Sequence, residues 1–168
     1  MDELLDRLRP AAASLAATRP AVEVGSPWPL AATFDHSDEA RWGPGEVLAH
    51  LSEMAPYWLG EIERVLAGGG ADPVAFGRIP TDPVRLAILE RDRSLPPREL
   101  YDRIASDLGR LERRWAGLSA EERARRGVHP SRGEMAVGEM ADRFIVGHLE
   151  DHVRQLETLL AGRGGPAD

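Results

Sequence analysis

At 168 residues the chain is long enough to bury one sizeable core and short for two. Its 28 acidic and 21 basic residues leave a net charge of -7, which removes the general attraction on which nucleic-acid binding relies. The absence of cysteine removes disulfides, thiolate metal ligands and a cysteine nucleophile, so any thiol chemistry must use a thiol supplied from outside.

Alternating β-branched runs are nearly missing, whereas apolar residues recur at three- and four-residue spacing, which predicts an all-α protein. A first helix is expected over about Asp2 to Thr18, kinked or split at Pro10. The Pro-, Gly- and Asp-containing segment from Arg19 to Gly43 reads as a long connection. A second helix starts at Pro44, a residue suited to the first helical turn, and runs to about Ala67 with Val47, Leu51, Met54, Trp58, Ile62 and Val65 as its apolar stripe; Pro56 should bend it. A short helix follows over Val84 to Arg91. A third long helix begins near Pro97, with Leu100, Ile104, Leu108, Leu111 and Trp115 on its buried face. "SAEE" (Ser119 to Glu122) is a capping box opening a short extra turn. A last long helix is expected over Val137 to Leu160. Four long amphipathic helices with a long first connection predict a four-helix bundle, with residues 1–162 as one domain and 163–168 as a flexible tail. No stretch approaches the roughly 18 uninterrupted apolar residues of a membrane span, and "MDELLDRLRP" lacks a signal-peptide core, so a cytoplasmic protein is the expectation.

Within "FIVGHLEDHVRQLETLL" (Phe144 to Leu160), His148 and His152 stand four residues apart and so share a helical face, with Cβ atoms about 5–6 Å apart. Phe144, Ile145, Leu149, Leu156 and Leu159 put that face against or beside the core. His50, between Val47 and Met54 on the second helix, is a third histidine on an apolar stripe. Three imidazoles from two facing helices suit a catalytic metal ion, with further positions left for water or substrate. The same spacing also fits core histidines that only hydrogen-bond. His36 and His129 fall in predicted loops and read first as surface or hydrogen-bonding residues.

Two motif tests narrow the chemistry. A zincin needs Glu directly after the first His, where Leu149 stands; the inverted motif needs Glu before the second, where Asp151 stands. The Glu-x-x-His pairs of di-iron bundles are absent from "EVLAH" and "GHLEDH". Glu46, Glu53 and Asp151 are candidates to orient an imidazole or move a proton, with Glu46 and Asp151 taken as the catalytic pair and Glu53 read as a solvated carboxylate. Tyr57 fits either a pocket wall or the core.

"RWGPGEVLAHLSEM" (Arg41 to Met54), "RRGVHPSRGEMAVGEM" and the terminal histidine helix together resemble the DinB-like (YfiT-like) superfamily of metalloenzymes, over about Trp42 to Leu160 with a weak middle. The resemblance implies a four-helix bundle with His50, His148 and His152 as metal ligands, zinc or nickel as the divalent metal, and frequent homodimers. Ala136 departs from the Thr or Ser common in relatives, which puts the start of the last helix in question. His129, in the "HP" segment before that helix, ranks below the triad as a residue at the site mouth. The superfamily includes thiol S-transferases, so the implied activity is a metal-dependent transferase or hydrolase acting on a small molecule, with a small thiol as co-substrate. The alternatives are a non-catalytic metal-binding or dimerising stress-response module and a metal-free scaffold.

Overall fold

The computed structural model describes residues 2–30, 36–68 and 73–163. Helix α1 (Glu3–Gly25) opens on Asp2, whose carboxylate accepts from Leu5 N at 3.4 Å, and runs seven residues past the predicted end at Thr18. Pro10 and Pro20 both lie inside it without ending it, so part of the expected connection is helical. A 3-10 turn (His36–Arg41) leads to α2 (Pro44–Ala67), whose limits match the prediction from Pro44 and the following glycines; Pro56 lies within it. Next come β1 (Val74–Ala75), α3 (Pro83–Asp92), α4 (Pro97–Ala116) and α5 (Ala120–Ala124), the last opened by reciprocal Ser119–Glu122 hydrogen bonds.

The chain then forms a hairpin, β2 (Arg126–His129) and β3 (Gly133–Ala136), that was expected to be loop. β2 pairs antiparallel with β3 and parallel with β1, giving a small three-stranded sheet beside a mostly helical body. These strands are too short to carry a visible alternation of apolar and polar residues. Gly133, at φ +75, turns the hairpin.

The last helix is interrupted where one continuous helix was expected. It comprises α6 (Val137–Ala141), a π segment (Asp142–Val146) in which Gly147 N donates to Asp142 O, and α7 (Gly147–Arg163). Ala136 supplies no side-chain cap, yet its N–H donates to the Glu139 carboxylate at 2.6 Å, so half of the capping box survives the loss of a hydroxyl. Of the expected tail, residue 163 ends α7 and 164–168 lie outside the described residues.

α1, α2, α4 and the α6–α7 rod form the bundle, with α4 against α1 and α2, and α1 against α7. The core draws on every one of these elements: Leu8, Leu48, Leu51, Leu100, Ile104, Met140, Ile145 and Leu149 are essentially inaccessible. Burying each such side chain contributes about 1.5–3 kcal/mol, the term that offsets the entropy of ordering the helices. Among the described residues no helix is long and apolar enough to cross a membrane.

Candidate metal centre

The facing stripes of α2 and α7 bring the three predicted ligands together. His50 and His152 are buried and His148 is half-buried. His50 Nε2 lies 2.6 Å from His148 Nε2, which lies 3.2 Å from His152 Nε2. One nitrogen from each ring falls within 4.8 Å of the others. Two nitrogens bound to one tetrahedral ion at about 2.0–2.1 Å stand roughly 3.3 Å apart, so the His148–His152 spacing already matches and the His50 nitrogen has to withdraw from His148 by about 0.7 Å. Trp42 backs the cluster, edge-on to His50 with centroids 5.4 Å apart and stacked on His152 at 6.4 Å.

Protonation favours a cation at this point. Burial pushes His50 well below the ordinary imidazole value, and the neighbouring His152 and His148 push the same way. Burial likewise lowers His148 to about 4, assisted by His152. His152 is lowered by burial against an opposing hydrogen bond from Gln155. All three are therefore neutral near pH 7 and ligate without first losing a charge-bearing proton.

Gln155 fixes which nitrogen is available. Its amide nitrogen donates to the carbonyls of Glu39, at 2.7 Å, and Trp42, at 3.5 Å, so its oxygen faces His152 Nδ1 at 2.9 Å and accepts a proton there. His152 Nε2 is left as a lone pair aimed at His148, the arrangement a metal ligand requires. Gln155 went unnoticed in the sequence; its only signal was the three-residue spacing from His152.

His50 and His148 of the triad open on a cavity of about 640 Å3 whose walls include Met54, Trp58, Ile79, His129 and Phe144. Trp58 and Phe144 stack at 4.1 Å, and His129 stacks on Phe144 at 5.4 Å. His129 is thus a buried strand residue at the cavity, not a loop residue on the surface. Ser131 N donates to its Nδ1 at 3.3 Å, the Arg78 backbone bonds to it as well, and burial followed by Arg132 lowers its pKa. With these partners His129 ties the hairpin to the segment after β1. Gly77, at φ +82, makes that tie possible: a Cβ there would come 2.4 Å from the His129 ring. The His36 side chain lies outside the described residues.

The other site expectations divide. Asp151 borders the cavity, two-thirds exposed and paired with Arg154. Glu46 does not line it: its fully buried carboxylate accepts from Gly43 N at 3.1 Å at the start of α2 and pairs with Arg93 at 3.3 Å. Glu53 is buried, not solvated, because both its oxygens grip Arg78 at 2.5 and 2.6 Å. Tyr57 lies under that guanidinium, 3.6 Å from ring centroid to Cζ, outside the triad cavity. Arg85, unremarked in the sequence, is buried beside the triad; it donates to Pro80 O at 3.0 Å and Glu39 at 2.9 Å and comes within 3.4 Å of His50 Nδ1.

No curated protein matches the chain, and neither does any solved structure. The model of one family does match, over residues 1–156, a span that takes in α1, the cavity and all three histidines. With a helical bundle and a histidine cluster able to hold a metal ion, the chain belongs to the DinB superfamily.

Proposed function

We propose that the chain is a metal-dependent enzyme in which His50, His148 and His152 hold one divalent ion, zinc or nickel, and that it acts as a low-molecular-weight-thiol S-transferase or as a hydrolase. The observation that carries the reading is the one-sided arrangement of the site: three neutral imidazoles converge, two of them, His50 and His148, in the wall of a 640 Å3 cavity, which leaves room for a reactant beside the donors. A cation held there supplies Lewis acidity, so that a thiol or a water molecule gives up its proton near neutral pH. The chain's own residues do the rest. Gln155 keeps the His152 lone pair aimed inward, Trp42 excludes water from the back of the cluster, and Asp151 is the proposed acceptor of the nucleophile's proton. Because the chain has no cysteine, the thiol of the transferase version is a co-substrate. Assembly as a homodimer is proposed on the family resemblance alone.

Metal content tests the reading. Mass spectrometry on untagged protein is expected to find near one equivalent of zinc or nickel per chain, lost in His152→Ala. Wild type that carries none and takes up none when supplied would overturn it.

One observation favours a second reading, in which the histidines are purely structural. If Arg85 donates to His50 Nδ1, the His50 proton sits on Nε2 and the 2.6 Å contact is a hydrogen bond to His148. The 3.4 Å approach of Arg85 is long for such a bond, and Glu39 at 2.9 Å is the better acceptor for the same nitrogen. The same metal assay separates the two.

A further inference from the structure

Five arginines line the triad cavity, and their partners divide them sharply. Arg7 pairs with Asp142 and Glu150, Arg78 with Glu53, and Arg85 with Glu39. Arg132 and Arg143 have no carboxylate partner among the described residues. Each acid on the cavity wall already has an arginine partner other than Arg132 and Arg143: Glu39 has Arg85, Asp142 has Arg7 of α1, and Asp151 has Arg154. Asp142 is the telling case. It is adjacent in sequence to Arg143, yet Arg7 reaches across from another helix to take it. The cavity wall therefore carries two guanidinium groups without a carboxylate partner among the described residues.

Their placement is specific. Arg132 is at the tip of the β2–β3 hairpin, with Cζ 5.7 Å over the Phe144 ring, so a cation–π contact holds it to the cavity wall. Arg143 comes from the π segment, immediately before Phe144 and five residues before His148. Phe144 and Trp58 stack on one another in the wall of the same cavity that Arg132, Arg143, His50 and His148 line. A guanidinium fork matches the paired oxygens of a carboxylate or phosphate and binds them by charge-assisted hydrogen bonds.

We propose that Arg132 and Arg143 form an oxyanion subsite at the mouth of the triad cavity, so that the small molecule it accepts carries a carboxylate or phosphate group held apart from its reacting end. This rests on the reading of the cavity as a substrate site, and it adds the class of substrate. The two arginines also give an overall acidic protein a local positive mouth, which draws anions toward the histidines.

Calorimetric titration tests it on the full chain. Zinc-loaded protein is titrated with 3-mercaptopropionate and with 3-mercaptopropionamide, which differ in charge but not in length; metal-stripped protein is titrated with succinate and with inorganic phosphate. The acid thiol is expected to bind at least about tenfold more tightly than its amide, a difference of ~1.4 kcal/mol. The double variant Arg132→Gln/Arg143→Gln is expected to lose that advantage, and to lose binding of the thiol-free anions, with unchanged circular dichroism and zinc content. The tighter of succinate and phosphate then identifies the oxyanion. Equal affinity for acid and amide, with neither thiol-free anion bound, overturns the subsite and leaves the thiol reading standing. An acid preference that survives in the double variant overturns the assignment to these arginines. Arginine-dependent binding of succinate or phosphate with no binding of either thiol upholds the subsite and removes the thiol-transfer reading. Silence from all four probes removes both.

Discussion

The interface between α1 and α4 and the interface between α2 and α7 are both buried, but they are built from opposite materials. α1 and α4, which pack on one another, bury Leu8, Leu15, Leu100, Leu108 and Leu111, and between them lies the buried polar pair Thr18 and Tyr101, whose oxygens satisfy each other at 2.7 Å. Between α2 and α7 the chain buries His50, His152 and, beside them, Arg85. Each of these polar groups costs free energy to desolvate and regains it only through a partner. A bundle can be held together wholly by the first kind of interface, so the second kind is present for what it holds, and stability and ligand binding should respond to different mutations.

The largest stability effect is expected from Leu100→Ala. It removes a fully buried side chain remote from the triad and should cost about 2–5 kcal/mol in denaturant unfolding while leaving zinc affinity unchanged. A simultaneous loss of zinc would show that the two interfaces are not separable. His148→Ala should do the reverse. The metal-free variant should unfold close to metal-free wild type, since a desolvated imidazole is removed, but the added stability conferred by zinc, ~2.7 kcal/mol at a hundredfold excess over Kd, should vanish. Gly77→Ala is expected to cost about 1–2 kcal/mol, because alanine disfavours positive φ and its Cβ would strike the His129 ring; the shift should appear in thermal unfolding of the metal-free protein.

Acid should act on the α2–α7 interface selectively. The triad imidazoles are held below their unfolded value by burial, so the unfolded chain binds protons more readily than the folded one. Their contribution is complete above about pH 6.5 and is lost as pH falls toward about 4, the value to which His148 is lowered. Zinc release and loss of stability are both expected in that window, and His148→Ala should shrink the stability loss while Leu100→Ala leaves it unchanged. The smallest effect is expected for Arg126→Ala, which breaks a surface pair with Glu134 in which both side chains are about half exposed; its unfolding midpoint should stay within the error of a denaturant titration.

What could be read in the sequence follows the same division. The apolar interfaces announce themselves: the Leu100–Ile104–Leu108–Leu111–Trp115 stripe, and Pro44 at the start of α2, translate directly into helices. The convergence of the histidines was legible because His50, His148 and His152 stand on apolar stripes of two helices, while their reading as ligands came from the family resemblance and not from spacing. Charged residues gave no such guidance. Glu53 read as solvated and Arg85 was passed over, because a buried ion pair is made by two residues distant in sequence, each of which alone looks like a surface residue. The small sheet was lost for a related reason, since β1 has two residues and draws its meaning only from its partner β2. The segment from Arg19 onward was read as a connection for its Pro, Gly and Asp content, although α1 continues through Pro20 to Gly25.

The π turn at Asp142–Val146 works as a phase shifter within the last rod. One extra residue in a turn rotates everything after it by about 100° relative to everything before. Inaccessible positions continue across the π turn, from Met140 and Ala141 through Ile145 and Val146 to Leu149. Without that offset, α6 and α7 would not both turn the same residues inward. Deleting a single residue from the turn would therefore swing His148 and His152 off their shared bearing with His50 while leaving every side chain of the triad intact.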